Sequence, residues 1–311
     1  MPHSSPDASQ LARWMSTSAS TGRERLMRTE ADTITITKLT PHTGAEVRGA
    51  DLTRPLQPSL RERLTRAFAA HSVLVIRDQR LDAAQFLAAI QNFGEIFPQH
   101  NTRFAVPECP LVHYISNQDK LEDGRVYIPG EGYHTDHSND PVPPKATALH
   151  AVNLPAVGGD TQFVNMHEAY DALSDAMRQR LEGRMARHVY QSRYSARKLP
   201  QLAGERRQSI GAASVLHPLV RTHPESRRKA LYINPIRIEE VVGMETADAL
   251  ALLDQLLAHS TQPRFEYRHK WQTGDTVIWD NRCLLHKANG DYPVSQVRYL
   301  YRLMLKGEKP A

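Results

Sequence analysis

The chain is poor in several features that would assign it to a class by themselves. Cysteine occurs twice in 311 residues, as Cys109 and Cys283. No disulfide framework is expected, and a reducing, cytoplasmic compartment is. No apolar run approaches the ~20 residues that span a bilayer, and the N-terminus has no secretory h-region, so no membrane role is expected. Aromatic residues make up 7% of the chain. The formal net charge is +5, but the basic residues are scattered apart from clusters such as Arg206-Arg207 and Arg227-Arg228-Lys229. A nucleic-acid surface needs a denser basic stripe with interleaved aromatics, so no nucleic-acid partner is expected. A mild positive balance does suit small anionic ligands. No segment repeats.

What is present suits a folded chain with a sizeable core, with 40% hydrophobic and 23% charged residues. Residues 1–30 are rich in Ser, Ala, Thr and Arg without sustained periodicity, and read as a flexible tail. Met15 and Met27 offer alternative starts within it. The remainder, 31–311, reads as one domain. Strand patterns are expected at 33–37, 72–78, 145–152, 161–165, 215–223, 229–234, 264–271, 275–280 and 297–305. Helical spacing is expected at 59–71, 82–94 and 244–260, the second opening on Asp82 and closing on Gly94. Residues 95–144 read as loop-rich. The fold class is therefore mostly β with flanking helices, an antiparallel double-sheet barrel of the jelly-roll, cupin-like type.

Three segments carry chemistry. In GYHTDHSND, 132–140, His134 and Asp136 are two apart. On an extended backbone they would share a face, with Thr135 and His137 turned away. An imidazole and a carboxylate are two members of the facial triad of non-heme Fe(II) sites, which leaves positions open for co-substrate and dioxygen. A lone His-x-Asp is weak, because most such pairs lie in surface loops. WDNRCLLH, 279–286, offers His286 as a third ligand, against the alternative of a buried histidine satisfied by a carbonyl. Cys283 reads as core, since a thiolate beside a dioxygen-activating site invites oxidation. In VRYLYRLML, 297–305, Arg298 and Arg302 share a strand face, ~13 Å apart. A barrel interior holds two guanidinium groups only with anions to match, whereas an edge strand would leave them in solvent.

Together the motifs GAEVRGADLTRPL (44–56), VLVIRDQ (73–79), YHTD (133–136), GGDTQF (158–163), HPLVRTHPES (217–226), WDNRCLLH (279–286) and R-x-x-x-R (298–302) stand in one order. In that order and spacing the chain resembles the taurine dioxygenase / 2,4-dichlorophenoxyacetate dioxygenase family of Fe(II)- and 2-oxoglutarate-dependent oxygenases. The likeness covers residues 33–309. It implies a double-stranded β-helix core, with His134, Asp136 and His286 as iron ligands. It implies that Thr161 hydrogen-bonds 2-oxoglutarate, that Arg298 clamps its distal carboxylate, and that Arg302 meets the anionic group of the primary substrate. Dioxygen is the second co-substrate. The implied reaction releases succinate and carbon dioxide and hydroxylates a small organic anion (a carboxylate, sulfonate or sulfate ester). Where the hydroxylated carbon bears a heteroatom, that bond then breaks. The retained Asp136 argues against a halogenase. A homo-oligomer is a family-level expectation.

The pattern departs from taurine-type enzymes in the substrate pocket. Tyr133 stands where Trp is typical, and Gly130 where a side-chain amide would serve taurine. PQHNTRF, 98–104, lacks the taurine-type His and Tyr at matching spacing, although His100 lies close. Tyr133, His137 and Asn139 are pocket candidates, with a satisfied loop as the plainer role for the last two. The cation-rich stretch 192–209 reads as a lid or as solvated surface. Two other functions stand beside the oxygenase: a metal-dependent hydrolase or isomerase on the same barrel, and a non-catalytic binding module.

Overall fold

The computed structural model describes residues 34–99, 102–195 and 214–311. The expected tail at 1–30, His100 and most of the stretch 192–209 lie outside the described residues. Strands and helices alternate along the first third: β1 (Thr35–Lys38), β2 (Ala45–Arg48), α1 (Pro58–His71), β3 (Val73–Ile76) and α2 (Ala83–Gln91). There follow β4 (Ala105–Val106), β5 (Cys109–Ser116), β6 (Ala146–Asn153), β7 (Thr161–Asn165), α3 (Met166–Asp171) and α4 (Asp175–Leu181). Short strands come next: β8 (Met185–His188), β9 (Val215–Pro218), β10 (Val220–Thr222), β11 (Lys229–Leu231) and β12 (Ile238–Val241). The chain closes with α5 (Thr246–Ser260), β13 (Glu266–His269), β14 (Thr276–Asp280), β15 (Leu284–Ala288) and β16 (Tyr299–Leu305). The chain is thus mostly β with a few helices.

Local chemistry sets the helix ends. Asp82 caps α2 by accepting from the Gln85 amide, and the Gln85 side chain returns the bond to the Asp82 amide. Helix α1 begins at Pro58, one residue before the Ser59 expected from the sequence, and has no side-chain cap. Proline is pre-set for a first helical turn, where its missing N–H costs nothing.

The main sheet has eight strands in the order β1-β2-β3-β14-β6-β16-β5-β4. Within it β2 and β3 run parallel, while the ladders around β14, β6 and β16 are antiparallel. A three-stranded sheet, β13-β7-β15, a second, β12-β8-β9, and the pair β10-β11 complete the β structure among the described residues. Both faces of the main sheet are covered. Ala146, Ala148, Ile278, Leu303 and Leu305 pack with Leu60, Leu64, Phe68, Phe86 and Ile90 of α1 and α2. Leu149, Ala151, Val277, Trp279 and Leu300 belong to the other core, with Phe163 of β7 and Leu284 of β15. Period-two alternation therefore sends Arg298 and Arg302 to the inner side with Leu300, and Tyr301 to the helix side.

Three expectations are corrected. The loop-rich reading of 95–144 missed β5, which pairs with β16 from Tyr299↔Ser116 to Arg302↔His113. Pro110 and the mixed polarity of CPLVHYIS hide that strand, which lies near the sheet edge with only β4 beyond it. The single strand expected at 215–223 is two: β9 pairs with β8, and β10 with β11. Pro218 has no N–H to carry one ladder through the break. YHTDHS is not a strand. His134 makes one isolated bridge to His286, and the chain turns from Asp136, with His137 at φ 46°.

The cores enclose neutral histidines. His150 lies against Phe86 and Tyr301, with ring centroids 5.8 and 6.3 Å away. Burial pushes its pKa from 6.5 down to about 4, and that of His188 down to about 3. The unfolded chain takes up these protons first, so this stability is complete above pH 6.5 and falls as the pH drops toward 4. The urea midpoint of the protein is expected to fall between pH 7.5 and 5, and by less in His150→Phe. An identical pH dependence in the variant would refute this assignment.

Candidate active site

The site is assembled where the loop before β6 lies alongside β15. The Ala288 amide donates to the Gly130 carbonyl at 2.9 Å. The His286 amide donates to the His134 carbonyl at 2.8 Å, and the His134 amide returns the bond at 3.0 Å. Directly opposed residues of such a pair project to one face, and the two imidazoles lie 4.3 Å apart between centroids. Two residues on, the turn brings Asp136 back to them. Its Oδ1 is 3.8 Å from His134 Nε2, and its Oδ2 is 4.0 Å from His286 Nε2. One donor atom from each residue lies within 4.8 Å of the others, so one ion can touch all three.

Neighbouring groups prepare these residues as ligands. Nδ1–H of His134 donates to the Gly132 carbonyl at 2.9 Å, which leaves Nε2 bare for a metal. Burial pushes His286 down to about 3, so its imidazole is neutral. Its Nδ1 is buried with no hydrogen-bond partner among the described residues, and aromatic contacts with Trp279 (4.8 Å) and Phe163 (6.4 Å) hold the ring. Asp136 is 8% exposed. Burial resists its ionisation, but Arg302 and then the imidazoles outweigh that and hold the carboxyl well below its usual range. Thr147 Oγ1 donates to Asp136 Oδ2 at 2.6 Å, and Arg302 Nη2 lies 3.0 Å from the same oxygen.

A second group, His223, Asp280 and Cys283, is equally compact. It is already satisfied as protein. Arg282 donates to Asp280 through Nε at 2.9 Å and Nη2 at 2.6 Å, and His223 Nε2 lies 3.0 Å away. Burial pushes the Cys283 thiol up, and its Sγ donates to Ser72 Oγ at 3.3 Å. Cys283 is core, in accord with the sequence reading.

Just ahead of β16, against the GGDT loop, lies a buried cation. Arg298 is 4% exposed and, among the described residues, forms no ion pair. Its Nε donates to the Gly159 carbonyl at 3.1 Å. Burial lowers its pKa, with Tyr292 and Asp160 acting against that shift. A guanidinium held away from water without a counter-ion is costly unless an anion joins it. The two glycines of GGDT make the close approach. A Cβ on Gly158 would sit 2.3 Å from the Asp291 carbonyl, and one on Gly159 would sit 3.1 Å from Arg298 Cδ and Nε. Both have positive φ, 75° and 72°. Arg268 ties the loop down by bonding Asp160 at 2.7 Å and Asp291 at 2.5 Å. Thr161 then opens β7 on the same face as Phe163.

Residues 35–304 match the model of the taurine catabolism dioxygenase TauD, TfdA family. The chain belongs to this family. It is 35% identical over 276 residues to the alpha-ketoglutarate-dependent 2,4-dichlorophenoxyacetate dioxygenase of Cupriavidus pinatubonensis, covering 85% of this chain and 94% of that one. It is 30% identical to the alpha-ketoglutarate-dependent sulfate ester dioxygenase of Pseudomonas putida, covering 86% and 87%. The solved structure of AAD-2 in complex with Mn(II) and N-oxalylglycine superposes with a TM-score of 0.73. It has 32% identity and covers 89% of this chain and 99% of that one.

The remaining candidates of this TauD, TfdA family chain are placed unequally. Arg302 bonds Gln99 Oε1 at 2.9 Å and Met304 Sδ at 3.1 Å besides touching Asp136. His137, in the turn after Asp136, packs its ring 5.7 Å from Phe97. Asn139 Oδ1 is buried with no hydrogen-bond partner among the described residues. Tyr133 is otherwise engaged: its hydroxyl donates to Glu266 Oε2 at 2.9 Å, and Lys287 Nζ lies 4.8 Å from its ring.

Several residues at the site were not anticipated. His113 lies directly across the ladder from Arg302, and burial with that cation pushes its pKa to about 4. Reading β5 as loop hid it. Gln99, bonded to Arg302, keeps its Nε2 buried with no partner among the described residues. Thr147 was placed on a strand, and its parity with Leu149 was the available signal for the inner face. Asn234 reaches from outside every motif to bond the Thr135 carbonyl at 2.8 Å and Ser138 Oγ at 2.9 Å.

Removing one member of the group is expected to abolish tight metal binding without unfolding the chain. Asp136→Ala and His286→Ala should each weaken Mn(II) binding by more than ~100-fold, beyond the range of an outer-shell loss. Electron paramagnetic resonance of free Mn(II) measures this. Near-normal affinity in both variants would move the metal site elsewhere.

Proposed function

We propose that this chain is an Fe(II)- and 2-oxoglutarate-dependent dioxygenase that hydroxylates a small organic anion. The observation that carries the reading is the His134–Asp136–His286 group, whose donor atoms one ion can touch, together with the buried Arg298, which forms no ion pair among the described residues. The donor set fits iron: two imidazoles and one carboxylate, the composition of the facial triad. The cation fits the distal carboxylate of 2-oxoglutarate, because a planar guanidinium binds carboxylate bidentately. The AAD-2 complex supports both halves, since N-oxalylglycine carries the same two carboxylates as 2-oxoglutarate. The main sheet and the β13-β7-β15 sheet are read as the two walls of a double-stranded β-helix around this site.

His134, Asp136 and His286 would hold the iron. Once bound with 2-oxoglutarate and dioxygen, it supplies the oxidation that turns the co-substrate into succinate and carbon dioxide and inserts oxygen into a substrate C–H bond. The residues do the rest. Thr147 and Arg302 bond the Oδ2 of Asp136 and so fix the orientation of its carboxylate. Arg298 and Thr161 hold 2-oxoglutarate and keep it from rotating. Arg302 meets the anionic end of the primary substrate, with Gln99 and His113 beside it and His137 and Asn139 lining the turn. Tyr133 serves as an anchor of the loop on β13 through Glu266. The relatives named for 2,4-dichlorophenoxyacetate and for sulfate esters support a substrate with one negative group and an oxygen-bearing carbon. Hydroxylation at such a carbon gives a hemiacetal-type product that expels its oxygen substituent.

Anaerobic addition of Fe(II) and then 2-oxoglutarate to metal-free protein is expected to develop a visible metal-to-ligand charge-transfer band. His286→Ala should lose the band, and Arg298→Ala should require at least ~10-fold more 2-oxoglutarate. Arg302→Leu should keep the band but lose its perturbation by phenoxyacetates and alkyl sulfates. Iron-loaded, folded protein without any band would overturn the reading.

A further inference from the structure

Thr161 Oγ1 is approached by one group that the family motifs do not include. Trp271 Nε1 lies 3.0 Å from it and donates a hydrogen bond to it. An indole nitrogen is a donor and never an acceptor, whereas a threonine hydroxyl has one proton and two lone pairs. The indole therefore takes a lone pair and cannot receive the hydroxyl proton. Among the described residues Thr161 Oγ1 has no acceptor for that proton. The remaining direction is the inner face of β7, which Thr161 shares with Phe163, a ring in contact with His286.

We propose that Trp271 is a positioning residue for 2-oxoglutarate: it fixes the rotor of Thr161 so that the hydroxyl donates to the carboxylate held by Arg298. The inference rests on the reading of Arg298 and Thr161 as the 2-oxoglutarate anchors. A carboxylate is an acceptor only, so a hydroxyl locked as donor matches it and a freely turning one does not. An N–H donating to the oxygen also polarises the O–H and strengthens its outgoing bond.

The fold holds the indole firmly. Trp271 follows β13 by two residues and packs on the inner core. The His269 ring stands edge-on to it at 4.6 Å. His269 is pinned on both sides, by the Tyr267 hydroxyl at 3.0 Å and by Asp275 Oδ2 at 3.1 Å. Asp275 also bonds Arg77 Nη1 at 2.6 Å and the Gln272 amide at 2.8 Å. The turn that carries Trp271 is thus anchored by charged groups that do not themselves touch Thr161.

The test is binding, with turnover excluded. Anaerobic Fe(II)-loaded protein is titrated with 2-oxoglutarate by its charge-transfer band, and Mn(II)-loaded protein with N-oxalylglycine by calorimetry. Trp271→Phe and Thr161→Val are each expected to weaken both ligands about 10-fold, as the loss of one hydrogen bond to a charged group does. Mn(II) affinity should stay unchanged. The double variant should be no weaker than the worse single one, because Trp271 acts on the ligand only through the Thr161 hydroxyl. Replacing Trp271 by β-(3-benzothienyl)alanine, which keeps the shape and lacks the N–H, should reproduce Trp271→Phe and guards against a packing effect. Wild-type affinity in that replacement, or additive losses in the double variant, would overturn the inference. Wild-type affinity in Thr161→Val would instead show that Thr161 is no anchor, which is failure of the underlying reading.

Discussion

Two backbone hydrogen bonds between His134 and His286 hold the site together. They join a loop that follows no regular strand to β15, and they set two imidazoles side by side from positions far apart in the chain. Every other element of the site takes its place from this pair. Asp136 reaches the imidazoles because the chain turns just after it, and Asn234, Thr147 and Asn281 hold that turn from three different segments. Because the pairing is made by main-chain groups, it tolerates change in the neighbouring side chains. The departure at Tyr133 is an instance: the residue has taken a partner in Glu266 without disturbing the bridge.

The electrostatics follow from burying charges at and beside a sheet that is covered on both sides. In such a place a charge needs a partner. The protein answers in two ways. Asp280, Arg282, Glu225 and His223 pair with one another and form a closed structural network. Asp136 and Arg298 do not close in the same way. Asp136 bonds Thr147 and Arg302 through Oδ2 and turns Oδ1 toward His134, and Arg298 pairs with no carboxylate among the described residues. The contrast is between a cluster closed by its own protein groups and one whose donor atoms could hold a metal ion.

The conformational demands are local. The Gly158-Gly159 pair lets the main chain lie against Arg298 and Asp291, where any side chain would collide. Left-handed His137 ends the metal turn. Each sits within a few residues of a ligand or anchor, where the backbone must depart from the regular ladders to bring functional groups inward.

Much of this was legible from the residues alone. Alternation in VRYLYRLML put both arginines on one face. Capping at Asp82 and the periodicity of 244–260 located helices, and the motif order pointed to the triad and to the GGDT loop. These signals are local, and short-range sterics and hydrogen bonding enforce them wherever the segment ends up. The tertiary structure alone decided what lies opposite what. It made a strand of Cys109–Ser116 and so set His113 across from Arg302. It broke 215–223 at Pro218, and it converged His134 and Asp136 by a turn instead of an extended strand. It also brought Trp271 to Thr161, 110 positions away. Such contacts depend on sheet register and on which strands become neighbours. Both are settled by burying the whole core at once, a condition that no single stretch of sequence expresses.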